Sequence, residues 1–234
     1  MAFLSTCLGG LFALRVRGRL HLLLGFSSGA MLGVVLFDIL PEVAEQAGKQ
    51  QIDFATILLF TAAGYMIFFA LERITKLHSA RTRKQGKVHL HGSELGTLGA
   101  AGLSLHSFLD GVAIAVGFHS GTELGILVSL AVLIHDFSDG LNTVTVVLAH
   151  GNSVGQARRW LLVDASAPFL GALVGILAPL PQGILLVLLA SFAGSFLYIS
   201  SSDLLPEARE HDSPWVLAAA FAGLAVLYTA TRFI

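Results

Sequence analysis

Residues Gly29–Glu42 read GAMLGVVLFDILPE, and Gly194–Glu207 read GSFLYISSSDLLPE. Both follow G-x8-D-x-L-P-E with identical spacing, 165 residues apart. A second repeat lies between them. His106-Ser-Phe-Leu-Asp110-Gly111 and His135-Asp-Phe-Ser-Asp139-Gly140 both read H-x-F-x-D-G. Internal repeats reveal architecture before single motifs do. What they imply here depends on the direction in which each segment runs.

Composition sets the class. The 234 residues are 55% hydrophobic and only 12% charged, with a mean hydropathy of +0.78. Soluble domains carry about 25% charged residues, so too few polar side chains are present to coat a soluble enzyme. A net charge of −1 excludes a nucleic-acid binder, which needs a basic surplus. Cys7 is the only cysteine, so neither a disulfide framework nor a thiolate cluster is expected within the chain.

A helix crosses a bilayer with about 20 mostly apolar residues. Eight apolar segments answer to this, near 2–14, 21–41, 54–72, 95–118, 123–149, 160–179, 182–204 and 215–232. The first is short and is expected to tilt or to lie partly in the interface. It lacks a preceding basic residue and a cleavage-type site, so it is not read as a secretory signal. Lys and Arg gather on cytoplasmic loops. With both termini outside, the inner loops hold Arg15, Arg17, Arg19, six basic residues from Arg73 to Lys87, Arg158, Arg159 and Arg209. Only Lys49 and Arg232 are then outside. The second and seventh spans, which carry the first repeat, therefore run in opposite directions, and so do the fourth and fifth. The expectation is a single all-α transmembrane domain over residues 1–234, with about eight helices in a 3+2+3 inverted-repeat bundle. Many secondary transporters use such repeats to alternate access around a midplane site. The basic segment 73–94, with His78, His89 and His91, is expected to be a cytoplasmic loop. It either captures a metal loosely or only anchors topology.

His at i and Asp at i+4 share a helical face one turn apart. Two such pairs direct His106, Asp110, His135 and Asp139 to one point, with Asp136 adding a third carboxylate and Asn142 continuing the face. A carboxylate near mid-bilayer costs at least about 2.5–3.5 kcal/mol on insertion scales. No Lys or Arg lies in the interior of a span to compensate. A cation or bound protons must take that role, and mixed imidazole and carboxylate donors suit Zn²⁺, Fe²⁺, Mn²⁺ or Co²⁺ better than Ca²⁺ or Mg²⁺. The bland alternative is polar residues that only bond helices together.

These residues resemble the ZIP (Zrt-, Irt-like) family of divalent-metal transporters over nearly the whole chain. That family typically reads H-N-x-x-E/D-G and H-E-x-P-E-G on its two central helices. The second span, from Leu24-Gly25-Phe26 to Leu40-Pro41-Glu42, and the seventh, with Gly194, Tyr198 and Leu205-Pro206-Glu207, are also similar. The resemblance implies a metal site, often binuclear, and movement of divalent metal into the cytoplasm, with zinc foremost and iron or manganese as alternatives. It implies His106, Asp110, His135, Asp136 and Asp139 as ligands, Ser107 at a second-site position, and Met31 lining the pathway. Departures are Ser138 for the usual proline, Asp for Glu at every central acid, Ser107 for asparagine, and Ala167 where an acid usually precedes the sixth-span proline, Pro168. Asp164, one turn earlier, either replaces that acid or pairs with Arg158 or Arg159. Asp38 and Asp203, the repeat-related acids near the span ends, serve as pathway stations or bond backbone groups freed by Pro41 and Pro206.

The expected activity is therefore secondary transport across the cell membrane. The metal is cargo rather than a resident cofactor, and the partners are the divalent ion and the lipid bilayer. A homodimer is neither required nor excluded. The alternative is an intramembrane zinc-dependent hydrolase. It is disfavoured because no H-x-x-x-H pair is present and hydrolysis leaves the repeat symmetry unexplained.

Overall fold

The computed structural model describes residues 1–84, 91–178, 181–209 and 213–232. Among these residues the chain is helical throughout, without strands. The helices are α1 (Ala2–Val16), α2 (Leu20–Val34), α3 (Leu40–Lys49), α4 (Phe54–Lys84), α5 (His91–Ser120), α6 (Thr122–Ala149), α7 (Val154–Leu177), α8 (Gln182–Tyr198), α9 (Leu205–Arg209) and α10 (Trp215–Thr231). Arg17–Arg19 form a 3-10 turn between α1 and α2. The sequence-predicted loop 73–94 is corrected in part. The helix begun at Phe54 runs on to Lys84, and α5 already starts at His91. Lys, Arg and Leu are good helix formers, so α4 outlasts its apolar stretch. The side chains of His78, His89 and His91 lie outside the described residues.

The outside of the bundle is apolar. Leu4, Leu8, Phe169, Leu177, Trp215 and Phe221 are all exposed, while His106, Asp110, His135, Asp136, Asp139, Asn142 and Asp164 are buried. This inverts the soluble pattern and is stable only where the surrounding solvent is itself apolar. Among the described residues, five helical stretches are long and apolar enough to cross a membrane: Ala2–Lys49, Phe54–Ile74, Ser93–His119, Val154–Leu177 and Gly183–Ser202. Trp215–Thr231 is apolar but shorter. The protein is a multi-pass membrane protein.

Both copies of the first repeat contain a π turn at the same place. Val35–Ile39 and Ile199–Leu204 are π-helical and hold Asp38 and Asp203. Leu40 N–H donates to Val35 O, and Leu205 N–H donates to Ser200 O, each five residues back. The reason is local, since Pro41 and Pro206 have no N–H for the ordinary i−4 bond. Widening the turn rearranges the ladder and rotates the acid's position on the helix.

Glycine decides how closely the helices approach. A Cβ on Gly111 would lie 2.0 Å from Pro168 O, and one on Gly171 would lie 1.8 Å from Phe108 O, so α5 and α7 touch backbone to backbone. The same reciprocity joins Gly9 to Phe137 O and Gly140 to Thr6 O between α1 and α6. It joins Gly29 to Ala220 O and Gly223 to Phe26 O between α2 and α10, and Gly64 to Ser191 O and Gly194 to Thr61 O between α4 and α8. Without a hydrophobic drive between helices in lipid, small residues at the contact provide the packing. α5 and α6 are antiparallel neighbours: Gly117 meets Gly125 near one end, and Gly96 meets Asn152 near the other.

Substituting Gly111 by Val should destabilise the protein by about 1–3 kcal/mol or prevent folding, because backbone on both sides cannot yield. Gly18→Ala, where nothing lies within 4 Å, should be near neutral. Thermal melting of detergent-solubilised protein, followed by size-exclusion chromatography, measures both.

Candidate metal centre

α5 presents His106 and Asp110 one turn apart, and α6 presents His135 and Asp139 in the same way, so the antiparallel pair brings four donors together. His106 Nε2 lies 3.3 Å from Asp110 Oδ2 and 4.0 Å from Asp139 Oδ2. His135 Nε2 lies 3.5 Å from Asp110 Oδ2 and 3.9 Å from Asp139 Oδ2. One ligand atom from each residue falls within 4.8 Å of the other three. Tetrahedral zinc with bonds of about 2.0–2.1 Å keeps its ligands about 3.3 Å apart, so these four distances lie within about 0.7 Å of a closed site.

Unmet hydrogen-bonding capacity supports a cation at this point. Both ring nitrogens of His106 and Oδ2 of Asp139 are buried without a hydrogen-bond partner. The His106 ring is held by packing instead, edge-on to Phe196 with centroids 4.8 Å apart. No Lys or Arg is buried among the described residues. A buried carboxylate without a cation or hydrogen bonds is strongly disfavoured, so the donor set fits a divalent ion well.

The remaining predicted residues separate into distinct settings. Asp164 is fully buried, and its carboxylate accepts from Ser107 Oγ and Thr143 Oγ1, each at 2.8 Å. It is thus tied to the helices of the central motifs rather than to Arg158 or Arg159. Pro168 leaves the Asp164 carbonyl without its i+4 donor, which opens the backbone beside this carboxylate. Asp136 and Asn142 are fully buried, and none of their side-chain oxygens or nitrogens has a partner. Met31 packs in the apolar cluster with Phe196, Val34 and Leu103. The side chain of Asp203 lies outside the described residues. Asp38 reaches His135, with Oδ2 2.7 Å from Nδ1. The pair lies at ion-pair distance without counting as a hydrogen bond.

Two participants escaped the sequence reading. Thr143 continues the His135–Asp139 face by another four residues, and that period alone would have found it. Phe196 looks like ordinary core, and only packing reveals its contact with His106.

A cavity of about 300 Å³ leads to the centre. His106, Asp110, Asp38 and His135 line it, with Val43, Val132 and Leu186 among its apolar walls and Glu42, Glu45, Gln46 and Lys49 along α3. Glu45 and Lys49 form an exposed ion pair at 2.7 Å. The cavity thus extends toward the end of α3, away from the Arg17–Arg19 turn at the other end of α2.

Residues 95–229 match the family model for ZIP zinc transporters. The zinc transporter ZupT of Chlorobium luteolum is 34% identical over 248 aligned residues, covering 97% of this chain and 92% of the relative. The chain belongs to the ZIP family. ZupT of Chlorobium limicola is 32% identical, covering 90% of this chain and 86% of its own length. Human zinc transporter ZIP10 is 33% identical over 58% of this chain but only 17% of its own length. The match to the family model takes in all four central donors, and the Chlorobium relatives extend the relationship to the N-terminal helices.

Removing one donor to Asp164 should be costly. Thr143→Val leaves Oδ2 in the interior without its donor and should destabilise the protein by about 1–3 kcal/mol. Thr143→Ser, which keeps the hydroxyl, should recover most of it, as read from melting midpoints.

Proposed function

We propose that this ZIP family protein is a secondary transporter that moves divalent transition metals, zinc foremost, into the cytoplasm through His106, Asp110, His135 and Asp139. The observation that carries this reading is a converging His/Asp set at the inner end of a cavity, with nothing basic buried beside it. The relatives carry the name zinc transporter. Family members are transporters rather than enzymes, so the hydrolase alternative is set aside.

The direction follows from charge placement. Twelve of fourteen basic residues fall on one side of the bundle if both termini are outside, and the positive-inside rule makes that side cytoplasmic. The cavity then faces outward. An ion entering it exchanges water for imidazole and carboxylate, and the apolar walls keep bulk water from competing. A negative-inside potential favours inward movement by about 2.3 kcal/mol per charge per 100 mV, so uptake needs no nucleotide hydrolysis.

Eight crossings in a 3+2+3 inverted repeat accommodate these features. Exchanging the first three spans with the last three, and the fourth with the fifth, maps the α5–α7 contact onto α6–α1, and α2–α10 onto α8–α4. The reciprocal glycine pairs occur at these four contacts, and the two π turns exchange in the same way. Such symmetry supports alternating access, in which one group of helices rocks or slides against the other.

Purified protein in liposomes should accumulate radiolabelled zinc down its gradient. A folded His106→Ala/Asp139→Ala double variant should lose nearly all uptake, and wild-type uptake by that variant would overturn the assignment. For orientation, single cysteines at Gly18 and Lys49 in a Cys7→Ser background report opposite sides of the membrane. In intact cells an impermeant maleimide should label position 49 and spare position 18.

A further inference from the structure

We propose that Asp38 is the positioning residue that holds His135 for the metal, acting from the π turn of a different helix; this rests on the four-residue metal site proposed above. Asp38 Oδ2 lies 2.7 Å from His135 Nδ1, the shortest of the His–carboxylate distances in the cluster. The other ring nitrogen, Nε2, faces Asp110 and Asp139 at 3.5 and 3.9 Å. An imidazole that ligates through Nε2 must carry its proton on Nδ1, and a carboxylate at Nδ1 fixes both that tautomer and the plane of the ring. His106 has its carboxylate neighbours, Asp110 and Asp139, on the Nε2 side, and its ring packs edge-on against Phe196. The two histidines of the repeated motif are therefore not equivalent, although their sequences are.

The backbone explains why Asp38 reaches this far. Val35–Ile39 is wound as a π turn because Pro41 follows, and the extra residue in that turn changes the direction in which Asp38 leaves the helix. α2 packs chiefly on α10, and α6 on α5 and α1, with a smaller direct contact between α2 and α6. The Asp38–His135 contact extends that α2–α6 contact to the edge of the four-residue cluster. Asp38 also remains partly exposed to the cavity, so it stands where an incoming ion first meets the ligand set.

Equilibrium binding of zinc and the visible spectrum of bound Co²⁺, both on detergent-solubilised full-length protein, test the proposal. Asp38→Asn, which keeps the side-chain volume, should weaken zinc binding by about 10–100-fold and change the intensity and position of the Co²⁺ ligand-field bands. Asp38→Ala should weaken binding at least as much. In a His135→Ala background, Asp38→Asn should have little further effect, since its partner is already gone. An equal fold-loss in both backgrounds would assign Asp38 a role independent of His135 and overturn the proposal. So would wild-type affinity and spectrum in Asp38→Asn. A wild-type protein that binds neither ion would instead sink the metal-site reading itself.

Discussion

Asp110, Asp136, Asp139 and Asp164 are buried with His106 and His135, and no Lys or Arg is buried among the described residues to neutralise them. In water such a group would be unremarkable in energy. In the interior of an apolar bundle each carboxylate needs a proton, a hydrogen-bond donor or a cation. Asp164 is supplied by two hydroxyls. Asp110 lies against His106 and His135. Asp139 and Asp136 retain unpartnered oxygens. A divalent ion at the four-residue point would answer the largest share of this demand. An interior of this charge favours a cation over an anion before any detail of geometry enters.

Holding these acids close together requires helices that approach closely, and glycine makes that approach. Gly111 and Gly140 directly follow the acids Asp110 and Asp139, and each lies against a neighbouring backbone carbonyl. One position thus supplies a carboxylate of the cluster and the next supplies the contact that fixes its helix. A larger side chain there would separate α5 from α7, or α6 from α1, and move Asp110 or Asp139 away from its partners. Packing and chemistry are coupled at adjacent residues.

Much of the centre was legible beforehand. The i, i+4 spacing of His106 with Asp110 and His135 with Asp139 is a property of helical geometry, and the paired motifs imply paired helices. The repeated G-x8-D-x-L-P-E likewise marked two equivalent segments, and both contain the π turn that their prolines call for. Less was legible where a contact joins residues far apart in the chain. The choice for Asp164 between an arginine and the interior could not be made from its neighbours in sequence. Ser107 and Thr143, which settle it, come from two other helices. Asp38 stood open between backbone and pathway roles for the same reason. The polarity of 73–94 predicts a loop, yet polarity does not stop good helix formers from continuing a helix, as α4 does to Lys84.

The sequence by itself determined that this is a charge-poor helical membrane protein with two duplicated motifs and an acidic interior. Those conclusions rest on composition and on periods of three to four residues, which are local and need no knowledge of neighbours. Only the tertiary structure decided that Asp38 meets His135, that Asp164 is held by Ser107 and Thr143, and that His106 leans on Phe196. Each of these depends on the separation and rotation of different helices. Those quantities are set by side-chain packing and by reciprocal glycine contacts across the bundle, not by spacing along the chain.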